Sequence, residues 1–370
     1  MTFNLVLTKK LNLNLPNKVF LGNWCLNNNF KINNEKIIPY HWDDRKKLYK
    51  DFIEINHVYE KKLKFLSYKL NRYHNKSYSN KYWDSLIGLW LKQVLQITFD
   101  IVYMLNYTKT KITNFKIISV KYNSDELIPN SFSEFRNQIN NDDWRTLFYL
   151  EIAQKIHPNL IINKDLEFQI NNYAKKNNIK IYLKKIISYI SLKIFKTFKF
   201  KYFFLNHGLR IKDYILLNIK LFQVPLFFFD REFKVSNSNI DNSFRNSLKN
   251  NSKNYEKIID EIILKFIPKC YLEDYKAFYD QSINYFPSVK CNSIMRTSNI
   301  FKNDLFIFFA SYQKEIHKSN IIFGQHGGNY GISKFNTFQD HEINFSTYYL
   351  SWGWKNNIKN SYENEKEENL

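Results

Sequence analysis

The chain has 370 residues, enough for about two domains with sizeable buried cores. Its formal net charge is +21, yet 44% of its residues are hydrophobic and 18% are aromatic, which excludes a disordered basic tail. Eight glycines and seven prolines are few for this length. They exclude collagen-like and turn-rich β architectures, so helices with short connections are favoured.

The basic excess is mostly lysine and runs along the whole chain together with abundant Asn, Ile, Phe and Tyr, residues that share A/T-rich codons. Because only a clustered basic patch forms a nucleic-acid footprint, we do not expect nucleic acid as a partner. The segment Lys193–Phe204 (KIFKTFKFKYFF) is compatible with an anionic membrane surface, although a buried strand with flanking lysines is favoured. At most, peripheral membrane association is expected.

Cysteine spacing and the N-terminus indicate the compartment. Cys25, Cys270 and Cys291 are far apart and lack CxxC spacing, so neither a disulfide framework nor a zinc site is expected. The N-terminus has no signal-peptide pattern, and polar residues interrupt the most apolar helix candidate, Ser85–Leu105. The sequence predicts a cytoplasmic protein, with the inner face of the membrane as the alternative place of action, and with no metal and no cofactor.

The N-terminal part begins with two short apolar runs of strand length, Phe3–Thr8 and Val19–Leu21. Two long helices follow, the first capped by Asp43 or Asp44. The apolar positions of the first helix recur at spacings of three and four: Leu48, Phe52, Ile55, Tyr59, Leu63, Leu66 and Leu70. Those of the second, which we expect to be buried on most sides, are Trp83, Ile87, Trp90, Val94, Ile97, Ile101 and Leu105.

A third helix is predicted to begin at a cap formed by Asp142 or Asp143 and to run toward His157. Strand-length and helix-length segments then alternate, which predicts an α/β fold with a parallel sheet covered by helices on both faces. The predicted strands are Tyr202–Leu205, Gln223–Phe229, Ser288–Asn292 and Ile321–Phe323. The predicted helices are Arg210–Leu221, Asn254–Phe266, Leu272–Tyr285 and Asn303–Lys318.

The predicted organisation is therefore a mostly helical part with short strands (1–160), an α/β part (161–355) and a disordered, polar tail (356–370).

Four of the eight glycines fall within GQHGGNYG, directly after the strand Ile321–Phe323. Ligands of open α/β sheets bind at the carboxyl ends of strands, and glycines let backbone N–H groups approach a phosphate or sugar oxygen closely. The loop is neither a Walker loop nor GxGxxG, and a plain tight turn is the alternative. The predicted binding residues are Gly324, Gln325, Gly327, Gly328, Asn329 and Tyr330.

His326 lies inside this loop and has the chemistry to remove a proton from an attacking hydroxyl. The alternative is a histidine that only hydrogen-bonds neighbouring backbone. Asp340, His341 and Glu342 form a polar cluster shortly downstream, which either orients His326 or is simply the edge of a helix or strand. The predicted catalytic residues are His326, Asp340 and His341.

A second polar and aromatic cluster, PYHWDDR, precedes the first long helix. Aromatic faces stack on sugar rings, while arginine and carboxylates bind hydroxyls or phosphate. Asp43 and Asp44 as simple helix caps are the alternative. Because the two aspartates are adjacent and not spaced as DxD, no metal site is predicted. The predicted substrate-binding residues here are Trp24, His41, Trp42, Asp43, Asp44 and Arg45.

The order of FLGNWC, PYHWDDRKKLYKD, YWDSLIGLWL, NDDWR, GQHGGNYG, DHEI and SWGW, from Phe20 to Trp354, resembles a family of transferases associated with O-antigen and other surface-carbohydrate biosynthesis in bacteria. The resemblance implies a GT-B-like glycosyltransferase, with two Rossmann-like domains facing across a cleft and a nucleotide-activated sugar donor. The GQHGG loop also resembles the His-Gly loop of teichoic-acid and capsule polymerases, whose histidine serves catalysis. We therefore expect PYHWDDR and GQHGGNYG to face one cleft.

The chain departs from this family pattern in two ways. Asn23 occupies the place of an acidic residue in FLGEWC, which puts a catalytic role for that position in doubt. Relatives also continue past SWGW into a second α/β domain. We therefore expect the second Rossmann domain to be largely absent, with a separately encoded C-terminal domain as a candidate partner, and the chain alone to be inactive. The primary hypothesis is a glycosyltransferase, or half of one, with a sugar-nucleotide donor and a saccharide acceptor. The alternative is a non-catalytic carbohydrate-binding or scaffolding remnant.

Overall fold

The computed structural model of the chain describes residues 2–13, 15–26, 36–168, 179–230, 238–247, 255–286, 289–298, 300–355 and 368–369. Its contacts divide it into two units, each assembled from separate stretches of sequence. The first unit comprises Met1–Lys62, Trp90–Tyr173 and Asn239–Lys269, and the second Leu63–Leu89, Ala174–Ser238 and Cys270–Leu370. This interleaved division differs from the predicted consecutive segments 1–160 and 161–355. The predicted tail, 356–370, lies almost entirely outside the described residues.

The helices and strands are numbered in chain order. The helices are α1 (Arg45–His74), α2 (Asn80–Lys111), α3 (Phe132–Gln138), α4 (Asp142–Ile156), α5 (Ile179–Phe198), α6 (Ile211–Lys220), α7 (Asn242–Arg245), α8 (Tyr255–Phe266), α9 (Tyr275–Tyr285), α10 (Asp304–His317) and α11 (Thr337–Phe345). The strands are β1 (Phe3–Val6), β2 (Lys18–Phe20), β3 (Lys36–Ile37), β4 (Phe115–Lys121), β5 (Ile161–Glu167), β6 (Tyr202–Phe204), β7 (Ser293–Arg296), β8 (Asn320–Gly324), β9 (Tyr348–Ser351) and β10 (Glu368–Asn369).

The first unit is built on a five-stranded parallel sheet with the order β3-β2-β1-β4-β5. Leu5 of β1 pairs with Val19 of β2 on one side and with Ile117 of β4 on the other, and all three side chains are buried. Helices α1 to α4 account for about half of residues 1–160, so this part is rich in helix and its strands are short. β4 and β5 were not predicted, and with them the short N-terminal strands become one sheet.

The predicted long helices are confirmed as α1 and α2. The structure also shows which side chains cap α1 and α4. Ile55, Tyr59, Leu63, Leu66 and Leu70 form the buried face of α1. The Asp44 carboxylate accepts hydrogen bonds from the backbone N–H groups of Lys46 and Lys47 and thus caps α1. The predicted cap of α4 is wrong, because the Asn141 side chain, and not Asp142 or Asp143, accepts from the first-turn N–H groups.

Helix α2 is the one described helix long and apolar enough to cross a membrane by length and composition. About 72% of its most apolar window is buried inside the protein, as expected for a core helix. Cys25, Cys270 and Cys291 are buried, and none of them is in a disulfide. Burial raises the pKa of Cys25 and of Cys291 to about 12.

The second unit contains its own five-stranded parallel sheet, with the order β10-β9-β8-β7-β6. Each strand adjoins its neighbour in sequence, and Ile321 of β8 pairs with Ile294 of β7. A parallel sheet in each unit corrects the expectation that the described chain holds only one. The α/β class and the parallel pairing are confirmed.

Three predicted segments of this unit need correction. Lys193–Phe198 ends helix α5, and only Tyr202–Phe204 of the lysine-rich segment is strand. The strand predicted at Ser288–Asn292 lies instead at Ser293–Arg296, and Ser288 is outside the described residues. Gln223–Phe229 is irregular backbone.

The segment Gln223–Phe229 follows an apolar pattern without becoming a strand because a side chain takes over its pairing. The Gln223 amide donates from Nε2 to the Tyr202 carbonyl and accepts at Oε1 from the Tyr202 N–H. These two bonds occupy backbone groups of β6, the edge strand of the sheet, so Gln223 covers an edge that would otherwise accept another strand.

Candidate functional site

The glycine-rich loop begins at the last residue of β8, the middle strand of the second sheet. Because all strands of that sheet are parallel, the segments that follow β6, β7, β8 and β9 meet at its carboxyl edge. This confirms the prediction that Ile321–Phe323 belongs to a central strand with GQHGGNYG after its carboxyl end. Ligands of such sheets bind at this edge.

Gln325 anchors the loop through its side-chain amide. Its Oε1 accepts hydrogen bonds from the Trp352 backbone N–H and from Trp354 Nε1, while its Nε2 donates to the carbonyls of Gly327 and Tyr330. The amide is therefore fully engaged inside the unit. Gln325, predicted as a ligand contact, joins the GQHGGNYG and SWGW motifs instead.

The four glycines of the loop fall into two groups. A Cβ at Gly324 would lie 2.7 Å from Thr297 Cγ2, and one at Gly331 would lie 2.5 Å from the Trp354 ring, where φ is also +78°. The fold therefore requires glycine at these two positions. At Gly327 and Gly328 a Cβ would meet no atom within 4 Å. Packing does not require glycine there, so the open space is free for a ligand.

His326 is held by a buried carboxylate. Its Nε2 lies 2.9 Å from Glu342 Oε1, and the Glu342 side chain is 1% exposed while that of His326 is 18% exposed. When Nε2–H donates to the carboxylate, the lone pair of the neutral ring lies on Nδ1. The pair thus leaves one ring nitrogen able to accept a proton.

Helix α11 supplies the partners of the loop at positions three residues apart, which share one helix face. Glu342 bonds His326, and the Gln339 side chain accepts from the Gly331 N–H at 2.8 Å. The Tyr330 hydroxyl is 3.5 Å from His326 Nε2, and its ring packs edge-on at 5.2 Å. One short helix therefore fixes both the middle and the end of GQHGGNYG.

Burial raises the pKa of the Glu342 carboxyl above its ordinary value. Hydrogen bonds from His326 and Tyr330 and the positive charge of Arg296 oppose that rise. These partners offset the free-energy cost of burying the charged carboxylate. The charge state of Glu342 therefore depends on the position of His326.

Glu342, and not Asp340 or His341, is the residue of this polar cluster that hydrogen-bonds His326. The His341 ring is 3% exposed, packs against Phe301 and has its Nδ1 4.0 Å from Asp84. Asp340 is half-buried and its backbone N–H continues the helix by bonding the Asn336 carbonyl. Of the three residues predicted to orient His326, helix phase therefore directs Glu342 toward the loop, whereas Asp340 and His341, which were predicted as catalytic, face elsewhere.

Sequence reasoning missed a second charged group at the same edge. Arg296, the last residue of β7, forms a bidentate pair with Asp230 at 2.7 and 3.1 Å, and its guanidinium lies 4.8 Å from the Phe306 ring centroid. Asn206, after β6, and Asn303 also bond Asp230. The available signal was Arg296 itself, the one charged residue of a strand that is otherwise apolar or small.

A cavity of about 590 Å³ in the second unit lies away from this edge. Asn320, the first residue of β8, and Thr347, immediately before β9, line it together with residues from the start of α2. It therefore opens at the amino ends of the strands and is not part of the His326 site. Among the described residues, no group of three or more His, Cys, Asp or Glu side chains is arranged to hold a metal ion.

The predicted PYHWDDR cluster lies in the first unit, after β3, and is enclosed. His41 Nε2 bonds Asp100 at 2.9 Å, its Nδ1 lies 3.7 Å from Asp51, and its ring stacks on Tyr103 at 4.3 Å. Its side chain is only 2% exposed, so the expected ligand contact by His41 is corrected. Trp42 Nε1 donates to Asp51, and this hydrogen bond holds the Trp42 ring in place as well.

The other predicted residues of this region differ in exposure. Trp24 donates from Nε1 to the Leu7 carbonyl and packs edge-on against Tyr40 at 5.4 Å. Asp44 is the cap of α1, as the alternative interpretation held, whereas Asp43 and Arg45 are exposed. The structure therefore gathers Trp24, His41 and Trp42 around Tyr40 and leaves the charged residues at the surface.

Fold and site together define an α/β protein with two parallel sheets, one of which presents a glycine-rich loop and a histidine–carboxylate pair at its carboxyl edge. Comparison with known protein families narrows this class of protein to one family. The chain belongs to the LIC12162 family of transferases, whose model matches residues 3–367. No curated protein matches it. No solved structure matches it either.

Proposed function

We propose that the protein is a glycosyltransferase of bacterial surface-polysaccharide or O-antigen biosynthesis, which transfers a sugar from a nucleotide-activated donor to a saccharide hydroxyl. The observation that carries the proposal is the 2.9 Å contact between His326 and the buried Glu342 inside the GQHGG loop. Membership of a transferase family supports group transfer. The two parallel sheets fit the pair of α/β domains that a GT-B-like enzyme contains.

In the proposed reaction, His326 Nδ1 takes the proton of the acceptor hydroxyl while Glu342 holds the opposite ring nitrogen. The acceptor oxygen forms a bond to the anomeric carbon of the donor. The bond from that carbon to the nucleotide phosphate breaks, and the phosphate leaves with the bonding electron pair. The imidazolium that forms is stabilised by the negative charge of Glu342.

In the proposed reaction the donor binds beside Gly327 and Gly328. Gly327 and Gly328 directly follow His326, and no described atom lies within 4 Å of the place where a Cβ would stand at either glycine. A phosphate or sugar hydroxyl can therefore approach the loop backbone closely. Arg296 adds positive charge near the Glu342 carboxyl, although its own guanidinium is committed to Asp230.

The test is turnover of a panel of UDP-, GDP-, CMP- and dTDP-sugars with oligosaccharide acceptors, with the glycosidic product identified by mass spectrometry. The second parallel sheet removes the reason for expecting the chain alone to be inactive, so we expect product with the wild-type chain. Gly328→Ala should have a several-fold higher donor KM at unchanged stability. Gly331→Ala is the matched contrast and should destabilise the fold, because its Cβ would meet Trp354. Saccharide binding without any nucleotide release would instead support the non-catalytic carbohydrate-binding alternative.

A further inference from the structure

Helix α5 has a second apolar face that no described part of the chain covers. Its inner face, with Ser188, Leu192 and Phe195, is buried. Its outer face is exposed and equally apolar, although water normally faces polar side chains on a surface helix. The outer residues follow one another at helical spacing: Leu183 (60% exposed), Ile186, Ile187 and Ile190.

Helix α6 and the turn after it repeat this pattern. Ile211, Ile215, Leu216 and Ile219 are exposed, while Tyr214 and Asn218 on the other side are buried. Phe222, at the turn, is 94% exposed and adopts a left-handed φ of +55°, which is uncommon for a bulky residue.

The two helices contact the same segment through their buried sides, so we treat their exposed residues and those of the segment as one surface. Ser191 Oγ of α5 accepts from the Phe227 N–H at 3.2 Å, and the Tyr214 hydroxyl of α6 donates to the Leu226 carbonyl at 2.6 Å. Val224 and Phe227 of the connecting segment are themselves exposed. We call this surface the apolar face; it comprises Leu183, Ile186, Ile187, Ile190, Ile211, Ile215, Leu216, Ile219, Phe222, Val224 and Phe227.

The charge around the apolar face has one sign. Residues 179–229 contain nine lysines and one arginine but a single acidic residue, Asp213. Described lysines at its borders are exposed: Lys184, Lys193, Lys199, Lys201, Lys212 and Lys220. Interfaces between proteins are depleted in lysine, whereas lysines bordering leucine, isoleucine and phenylalanine are typical of helices that lie in an anionic membrane surface.

We propose that the apolar face docks the protein on an anionic phospholipid bilayer, with Phe222 and the isoleucines entering the headgroup region and the lysines contacting lipid phosphates. The first observation, exposed apolar side chains at helical spacing, and the second, the one-sided charge, are independent of each other. The proposal also stands independently of the reaction assigned to His326, since no residue of the apolar face belongs to that site.

The experiment is co-sedimentation of the full chain with phosphatidylcholine vesicles with and without 30% phosphatidylglycerol, at low and physiological salt. We expect binding to the anionic vesicles that weakens with salt, and at least a tenfold loss for Ile187→Glu/Ile219→Glu. Ile53→Glu/Tyr68→Glu is the matched control, because it makes the same charge change at exposed apolar residues outside the apolar face and should bind like wild type.

A second variant distinguishes a loss of vesicle binding from a loss of folded protein. Phe222→Ser changes a side chain that is almost fully exposed, so it should keep the wild-type melting temperature and still lose vesicle binding several-fold. Equal binding by all variants, or binding to neutral vesicles alone, would overturn the proposal. The proposal would also be overturned if light scattering showed a dimer that Ile187→Glu/Ile219→Glu dissociates, and if neither the dimer nor the monomer bound vesicles. A second copy of the chain would then be what covers the apolar face.

Discussion

Each of the two parallel sheets is followed, at the carboxyl end of a strand, by a histidine that contacts a carboxylate at 2.9 Å. In the first unit, His41 follows β3 and bonds Asp100; in the second, His326 follows β8 and bonds Glu342. The two rings differ in what surrounds the remaining nitrogen. His41 Nδ1 faces Asp51 and the ring is stacked on Tyr103, whereas His326 lies in a glycine loop with open space beside it.

This comparison shows that a histidine–carboxylate pair alone does not mark a reactive site. The His41 side chain is 2% exposed and carries a carboxylate near each nitrogen, so its contacts hold the start of α1 in place. The His326 side chain is 18% exposed and has a carboxylate on one nitrogen only. We propose that access to the second nitrogen is what lets His326 accept a proton, whereas the enclosed His41 is a structural crosslink.

The largest effect is expected at His326. His326→Ala and His326→Asn should each lower kcat by about 10² to 10⁴, because neither side chain can accept the acceptor proton. Acceptor KM should change little, since the proposed role is proton transfer and not binding. The measurement is steady-state turnover with the donor identified in the panel. Full activity in His326→Asn would show that the ring only shapes the loop.

Glu342→Gln should lower kcat by about 10- to 100-fold, the loss that is typical for carboxylates that hold metal-bound histidines. Because burial raises the pKa of Glu342, this carboxylate takes up its proton at a higher pH than an exposed glutamate. Activity should therefore fall as pH is lowered through that pKa, and this part of the pH–rate profile should be absent in Glu342→Gln. Asp340→Asn, two residues away on α11, is the matched control and should stay within about threefold of wild type.

His41→Asn should act on stability and not on chemistry. It removes the stacking on Tyr103 and the hydrogen bond between His41 and Asp100, which should cost about 1–3 kcal/mol of unfolding free energy. Urea denaturation gives this value, and kcat of the folded variant should change by less than about threefold. A hundredfold loss of kcat at unchanged stability would make His41 a functional residue after all.

His74 sharpens the comparison because it is half-buried and no carboxylate is hydrogen-bonded to its ring. Its Nε2 donates to the Tyr271 carbonyl, and burial lowers its pKa to about 4. The unfolded chain therefore binds more protons than the folded chain between pH 4 and about 6.5, so stability is lost as pH falls through this range. Between pH 7 and pH 5 the loss should be about 2 kcal/mol greater in wild type than in His74→Gln. Equal pH slopes in denaturant titrations would contradict this.

The sequence was informative where the signal is local. The three- and four-residue spacing of Ile55, Tyr59 and Leu63 predicted α1, and the apolar run before GQHGG predicted β8. Strand β4 was missed because no glycine or proline separates it from the long apolar pattern of α2. Gln223–Phe229 has the composition of a strand, but pairing depends on Gln223 meeting Tyr202, a contact that composition does not encode.

The site, like the fold, was predictable from the sequence only where the signal is local. Glycine scarcity located the loop and His326 within it, and the polar cluster containing Glu342 was recognised. Which member of that cluster faces His326 depends on the phase of α11, and the pairing of Arg296 with Asp230 depends on which elements adjoin β7. Both are settled by tertiary packing, so no pattern along the chain could have distinguished Glu342 from Asp340.

The most direct test of the account is the coupling between His326 and Glu342. Turnover is measured for wild type, His326→Asn, Glu342→Gln and the double variant with the same donor and acceptor. If Glu342 acts by holding His326, then Glu342→Gln should cost about 10- to 100-fold in the wild-type background and almost nothing once His326 is already asparagine. Fully additive losses would show that the two residues act separately and would contradict the pair as the centre of the reaction.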